Sequence, residues 1–225
     1  IGDMTQYGFQ ILSAQFHIYQ DETFIDSMAL MRLAGGRLRD LESSPYVEAL
    51  RVTPEYFDLL GTPMALGRPM AEDEGINDQK RVVVLNYNTW KNHFNSDPSI
   101  IGTTTRFNNH YYEIIGVTAQ DFAAPEIFGS EEIDAWMSFP DEVSATSHWD
   151  SITGGVNGLA RLKPGITLIQ ASSSLGQQIN ELYQGQGAAP DTSIGGRFIP
   201  LKTKIIGDSS DLAYTLLAGV ITLLL

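Results

Sequence analysis

A mixed α/β (α+β) fold is what this 225-residue chain predicts, on three observations. The run Val82-Val83-Val84-Leu85 is β-branched and long enough for a buried strand. The segment TTTRFNNHYYEIIGV sets two β-rich runs on either side of Asn108-Asn109, residues that tolerate the positive φ of a tight hairpin turn. Further on, Thr167 and Gln170 have the spacing of a capping box. Leu168, Ala171, Leu175, Ile179 and Leu182 then recur at threes and fours, which predicts an amphipathic helix over Leu168–Tyr183.

The other elements follow in order. Apolar density at Phe24, Ile25, Met28, Leu30, Met31, Leu33 and Leu38, broken by Gly35-Gly36, predicts a helix near Asp21–Leu30 and extended structure after it. In VTPEYFDLLG, Val52 to Gly61, Thr53 is placed to cap a short helix with Pro54 at its first position and Gly61 closing it. Thr62 to Lys80, with Pro63, Gly67, Pro69, Gly75 and the acidic Glu72-Asp73-Glu74, reads as loop. After the Val82–Leu85 strand, Asn86 or Asn88 can cap a helix bearing Trp90 and Phe94 one turn apart, which Asp97-Pro98 stops. The hairpin strands are expected at Thr103–Phe107 and Tyr111–Val117, and Ala135-Trp136-Met137-Ser138-Phe139 alternates weakly as a further strand. Polar sequence from Ser144 to Gly155 separates this block from a β-α-β unit. That unit comprises a strand at Asn157–Leu162, a turn at Pro164-Gly165, the amphipathic helix, a linker from Gly185 to Gly196, and a strand at Arg197–Leu201.

Charge and composition exclude several classes. With 14 Lys+Arg against 27 Asp+Glu the net charge is −13, which repels phosphate backbones and argues against nucleic acid as a partner. The absence of cysteine removes disulfides, thiolate catalysis and cysteine metal sites, and leaves the compartment open. IGDMTQYGFQ shows no leader pattern and no initiator methionine, as expected of a fragment. From Leu212 to Leu225, LAYTLLAGVITLLL carries no charge and no polar stripe, yet it is shorter than the roughly 20 residues that span a bilayer. It is either a buried terminal helix or the start of a transmembrane helix, and its all-round apolarity favours the second.

No chemistry-bearing motif emerges, and no catalytic, cofactor-binding or metal-ligating residue is assigned. His17, His93, His110 and His148 form no i, i+3 or i, i+4 pair. Glu72-Asp73-Glu74 lacks the spacing and closing Glu of a calcium loop and reads as a solvated acidic turn. Glu131-Glu132 and Asp134 would serve as a glycosidase-like pair only if folding set them at the right separation. Gly207-Asp208-Ser209-Ser210 is no nucleophile elbow and suits the N-cap of the terminal helix, through Ser209, Ser210 or Asp211. Phosphate-cradling glycine motifs are lacking as well.

Several segments in order resemble the periplasmic core domain of MacB/FtsX-like ABC transporter permeases: VTPEYFDLLGTPMALGRPM, RVVVLNYNTWKNHFNSDPSIIGTTTRFNNHYYEIIGV, LARLKPGITLIQA, and IIGDSSDLAYTLLAGVITLLL at the second transmembrane helix. The resemblance runs from Val52 to Leu225, and its specificity comes from order and spacing. It implies a permease of the cell inner membrane with this domain on the periplasmic side between the first and second spans. It also implies homodimerisation, a cytoplasmic ATP-binding subunit and room for a periplasmic adaptor protein.

By the same resemblance the fold is two-lobed, with a porter-like α/β lobe over 1–27 plus 150–208, a smaller inserted α/β lobe over 28–149, and the start of a transmembrane helix, or an apolar terminal helix, over 209–225. The function it implies is coupling of ATP-driven motion to efflux or to mechanical work, without enzyme activity or cofactor. Two rivals stand beside it. One is a periplasmic solute-binding module with Trp90, Trp136 and Trp149 lining a pocket, although buried core is the commoner use of such residues. The other is an acidic hydrolase whose carboxylates converge only in three dimensions.

Overall fold

The computed structural model describes residues 6–11, 24–74, 80–125, 132–139, 156–185 and 198–201. The strands are β1 (Gln6–Ile11), β2 (Ile25–Arg37), β3 (Tyr46–Val52), β4 (Met64–Gly67), β5 (Val82–Leu85), β6 (Thr104–Phe107), β7 (His110–Thr118), β8 (Ala135–Ser138), β9 (Val156–Leu162) and β10 (Ile199–Pro200). They join in one mixed sheet of order β10-β1-β9-β2-β3-β8-β5-β7-β4, with β6 also on β7. The α-helices among the described residues are α1 (Glu55–Leu60), α2 (Tyr87–His93) and α3 (Leu168–Gly185).

The β-α-β unit forms with a strand inside it. β1 is antiparallel to both β9 and β10, so β9 and β10 run parallel on either side of it, with α3 as the crossover. The capping box is made: Gln170 N–H donates to Thr167 Oγ1 (3.3 Å), and Thr167 N–H donates to Gln170 Oε1 (2.9 Å). Ala171 and Leu175 are fully buried under the helix. The Ile179 and Leu182 side chains, the Ser144–Gly155 boundary, the linker over 186–196 and Leu212–Leu225 lie outside the described residues. No helix of the described residues is long and apolar enough to cross a membrane.

The helix expected near Asp21–Leu30 is instead β2 from Ile25 onward, with Asp21 to Thr23 outside the described residues. Its apolar density has a different cause. Met28 and Leu30 pack into the core under α3, while Ala29 and Met31 pack on the opposite face against α1. A strand covered on both faces reads as a continuous apolar run and loses its period of two. β5 and β8 show the same pattern, each buried at every position between two cores. The first core holds Val82, Val84 and Trp136, and the second holds Val83, Leu85, Ala135 and Met137.

The Thr62–Lys80 loop also needs correction, because it contains β4 and a short 3-10 turn at Glu72–Glu74. β4 is a half-exposed strand on β7, held by close backbone approach: a Cβ on Gly67 would strike the Ile115 carbonyl, and one on Gly116 would strike that of Arg68. α1 ends as expected, with Gly61 left-handed at φ 62. Its start differs, since Pro54 occupies the cap and the Thr53 side chain makes no cap bond. Asn86 does cap α2, its Oδ1 accepting from Asn88 N–H at 2.8 Å.

The hairpin β6–β7 turns at Asn108, with φ 52. It then closes the sheet on itself. Leu38, just past β2, bridges to Phe107; Arg39 N–H donates to Arg106 O (2.8 Å) and Asn108 N–H to Arg37 O (2.9 Å). The circuit β2-β3-β8-β5-β7-β6 is therefore a small barrel whose interior holds Leu38, Val47, Leu85, Phe107, Tyr112 and Met137.

Candidate functional site

Of the carboxylates singled out by the sequence, Glu74 and Asp134 hold backbone N–H groups, while Asp73 and Glu132 pair with side chains. Glu74 is buried, and both its oxygens receive Arg68 guanidinium N–H groups at 2.7 Å, with Ala71 N–H adding a third bond at 2.8 Å. The Arg68 guanidinium holds the Glu74 carboxyl below the usual range, against the opposing effect of burial. Asp73 pairs with Lys80 Nζ at 2.7 Å on the surface. Asp134 accepts from Glu48 N–H (2.8 Å) and from the Thr89 hydroxyl (3.0 Å), which fastens α2 to β3. Glu132 accepts from the Asn88 side-chain amide at 2.8 Å. These bonds use Glu132 and Asp134 as anchors for α2.

The remaining candidates are placed as follows. His110 Nδ1 meets the Arg81 guanidinium, and His93 closes the last turn of α2. Glu131, His17, His148, Trp149 and the Gly207–Ser210 stretch lie outside the described residues. Among the described residues no group of three or more His, Asp or Glu is placed to hold a metal ion. Trp136 is core at 0% exposure, and Trp90 donates its indole N–H to Asp97 O at 2.9 Å. The barrel interior encloses a cavity of about 10 Å³ lined by apolar groups such as Leu38, Val83 and Phe107. That is no larger than one water, so neither tryptophan lines a solute pocket there.

What the geometry does build is a joint. α1 lies across β2 and β9 with Tyr56, Phe57 and Leu59 buried beneath it. Two polar links fix it. Leu30 N–H donates to Thr53 Oγ1 and Thr53 N–H donates to Leu30 O, each at 3.1 Å, so the residue leading into α1 is bonded to the middle of β2. From β9, Arg161 donates to Leu59 O in the last turn of α1 at 2.8 Å, with Asp26 of β2 at 3.9 Å from the same guanidinium. Phe57 stands edge-on to both Tyr56 (5.6 Å) and Trp136 (6.3 Å). Burial pushes the Tyr56 phenol far up, and the nearby Trp136 N–H offsets this only in part, without completing a hydrogen bond.

Sequence reading missed Arg161 and the true use of Thr53. Thr53 precedes a helix and so looks like a cap, while its partner lies 23 residues away in a strand. Arg161 and Leu59 are 102 residues apart, and no local pattern links them.

A family model described as the MacB-like periplasmic core domain matches residues 15–178. Among solved structures, the periplasmic region of MacB from Actinobacillus actinomycetemcomitans superposes with a TM-score of 0.61 at 18% identity, covering 94% of each chain. A domain of a putative permease protein from Porphyromonas gingivalis gives 0.61 at 16% identity, covering 88% of this chain and 90% of that one. The extracellular domain of the noncanonic ABC-type transporter YknZ from Gram-positive bacteria gives 0.56 at 12%, covering 84% and 89%. Among curated protein sequences none matches the chain.

Proposed function

The chain belongs to the MacB-like periplasmic core domain family, and from that premise we propose that it is the part of an ABC transporter permease that carries ATP-driven motion to a periplasmic partner or cargo. In this reading the parent sits in the inner membrane and works as a homodimer with a cytoplasmic ATP-binding subunit. The domain comprises a porter-like lobe over 1–27 plus 150–208 and an inserted lobe over 28–149. The apolar stretch over 209–225 leads into the membrane.

The observation that carries the proposal is the joint at α1. A transmitting domain needs packed elements that move as units and a few bonds that pass force between them, with no reactive side chain. Thr53 and Arg161 tie α1 to β2 and β9, and β9 belongs to the proposed porter-like lobe while α1 belongs to the inserted one. The separate apolar cores under α3 and inside the barrel support a two-body motion about that joint.

The test is a distance measurement in the parent transporter. The 225 residues contain no cysteine, so exposed Glu181 on α3 and Lys91 on α2 can be replaced by Cys and spin-labelled within the domain. Pulsed electron resonance should show the inter-label distance shifting by several ångström between nucleotide-free and ATP-trapped states. An unchanged distribution, in a preparation that hydrolyses ATP at the normal rate, rules the coupling role out.

A further inference from the structure

The barrel seam carries a charge opposite to that of the chain. Where β2 runs into the β2–β3 turn and meets the β6–β7 hairpin, Arg37, Arg39 and Arg106 come together: Arg37 brackets Asn108 through backbone and side-chain bonds (2.9 and 3.0 Å), and Arg39 N–H donates to Arg106 O. Leu38 and Phe107 turn inward between them, which leaves the flanking Arg39 and Arg106 on the outer side. The Arg106 guanidinium sits over the Tyr111 ring at 5.8 Å, and Tyr46 is the cross-strand partner of Arg37 and covers Gly35. Both tyrosines are more than half exposed, at 57% for Tyr46 and 58% for Tyr111.

These arginines have no acid. Arg68 pairs with Glu74, Lys80 with Asp73 and Arg161 with Asp26, whereas Arg37, Arg39 and Arg106 take part in none of these pairs. Asp40 and Glu42 are exposed in the adjoining turn and do not pair with them. Arg37 donates one guanidinium N–H to the Ser44 carbonyl at 2.8 Å, and Arg106 Nε is buried without a hydrogen-bond partner. In a chain with 27 acidic and 14 basic residues, three arginines that form no ion pair among the described residues, even with Asp40 and Glu42 in the adjoining turn, mark a surface open to a carboxylate from outside.

We propose that this seam docks an acidic, extended segment of a partner polypeptide. Guanidinium groups take carboxylates in paired hydrogen bonds, and exposed Tyr rings beside Arg supply rigid contact area, the composition of interface hot spots. Arg37 ends β2 and Arg39 opens the turn two residues on, with Leu38 facing inward between them, so both side chains leave the outer side of the seam toward carboxylates spaced along one extended ligand. A short segment senses only the seam, whereas an anionic bilayer would also meet the repulsion of the whole −13 chain over a Debye length of roughly 10 Å. This surface is independent of the coupling role proposed above.

The test uses the 225-residue chain and a fluorescein-labelled peptide of alternating Glu and Ser, with a Gln-for-Glu peptide as control, read by anisotropy at low ionic strength. Arg37→Glu with Arg39→Glu should weaken binding about tenfold or more, and physiological salt should weaken it for the unaltered chain. Lys91→Glu with Lys163→Glu makes the same charge change on exposed residues away from the seam and should weaken binding less than about twofold. Tyr111→Ala, at an exposed ring, should weaken it several-fold with no shift in thermal midpoint, which separates lost contact from lost fold. The proposal is overturned if both charge pairs lose affinity equally or if the Gln peptide binds as well. Tighter binding to phosphatidylglycerol vesicles than to the Glu peptide, or self-association through the seam, overturns it as well.

Discussion

Thr53 and Leu30 exchange two hydrogen bonds of 3.1 Å across the interior, one through the Thr53 hydroxyl and one through its backbone N–H. Both residues are buried, so solvent cannot replace either bond. Thr53→Val keeps the shape and strands the Leu30 N–H, which should cost about 1–3 kcal/mol. Urea unfolding measures the cost, and hydrogen exchange at the Leu30 amide locates it. Thr53→Ser, which retains the oxygen, should recover much of the loss; if it is as unstable as the Val variant, the bond is not what matters.

That pair also marks how far the sequence could be read. Elements whose cause is local were legible: the capping box at Thr167, the Asn86 cap, the left-handed Gly61 and the Asn108 turn. Elements whose cause is tertiary were not. β2 looked helical because α1 and α3 cover its two faces, and β4 was lost because Gly67 reads as a loop residue while it serves close approach to β7. The seam arginines were invisible for the same reason, since Arg39 and Arg106 become neighbours only when the barrel closes.

Glu74 gives the domain an acid-sensitive clasp. Arg68 lowers its folded carboxyl below the ordinary value of 4.5, so its contribution is fully present above that value and is lost as pH falls through the depressed folded value. Glu74→Gln should cost about 1–2 kcal/mol at neutral pH, discounted because Arg68 is half exposed. The stability gap between the two proteins should narrow as pH falls below 4.5 and through the depressed folded value. Urea midpoints across that range check it; a gap that does not change with pH would show that the clasp holds by shape and not by charge.

Asn108 closes the barrel by two means, a left-handed φ of 52 and an Oδ1 that accepts the Arg37 N–H at 3.0 Å. Asn108→Ala loses both and should cost about 1–2 kcal/mol, while Asn108→Gly keeps the backbone freedom and should cost less. The Arg37 amide should exchange faster in both variants, because both lack its acceptor. Equal stability of the Ala and Gly forms would mean that the turn tolerates its φ without help from residue type.

Tyr56 tests the opposite sign. Its hydroxyl is buried beside the Trp136 N–H, and neither atom completes a hydrogen bond, although the ring packs edge-on against Phe57. Removing an unsatisfied polar atom while keeping the ring removes a desolvation cost and little else. Tyr56→Phe should therefore leave stability unchanged or raise it by up to about 1 kcal/mol, against the usual trend of core substitutions. The same burial keeps the phenol protonated until the fold opens, so in alkaline titration the Tyr56 absorbance change should coincide with loss of near-ultraviolet circular dichroism. A clear destabilisation of Tyr56→Phe, or ionisation of Tyr56 while the fold persists, would mean that the hydroxyl has a hydrogen-bond partner in solution.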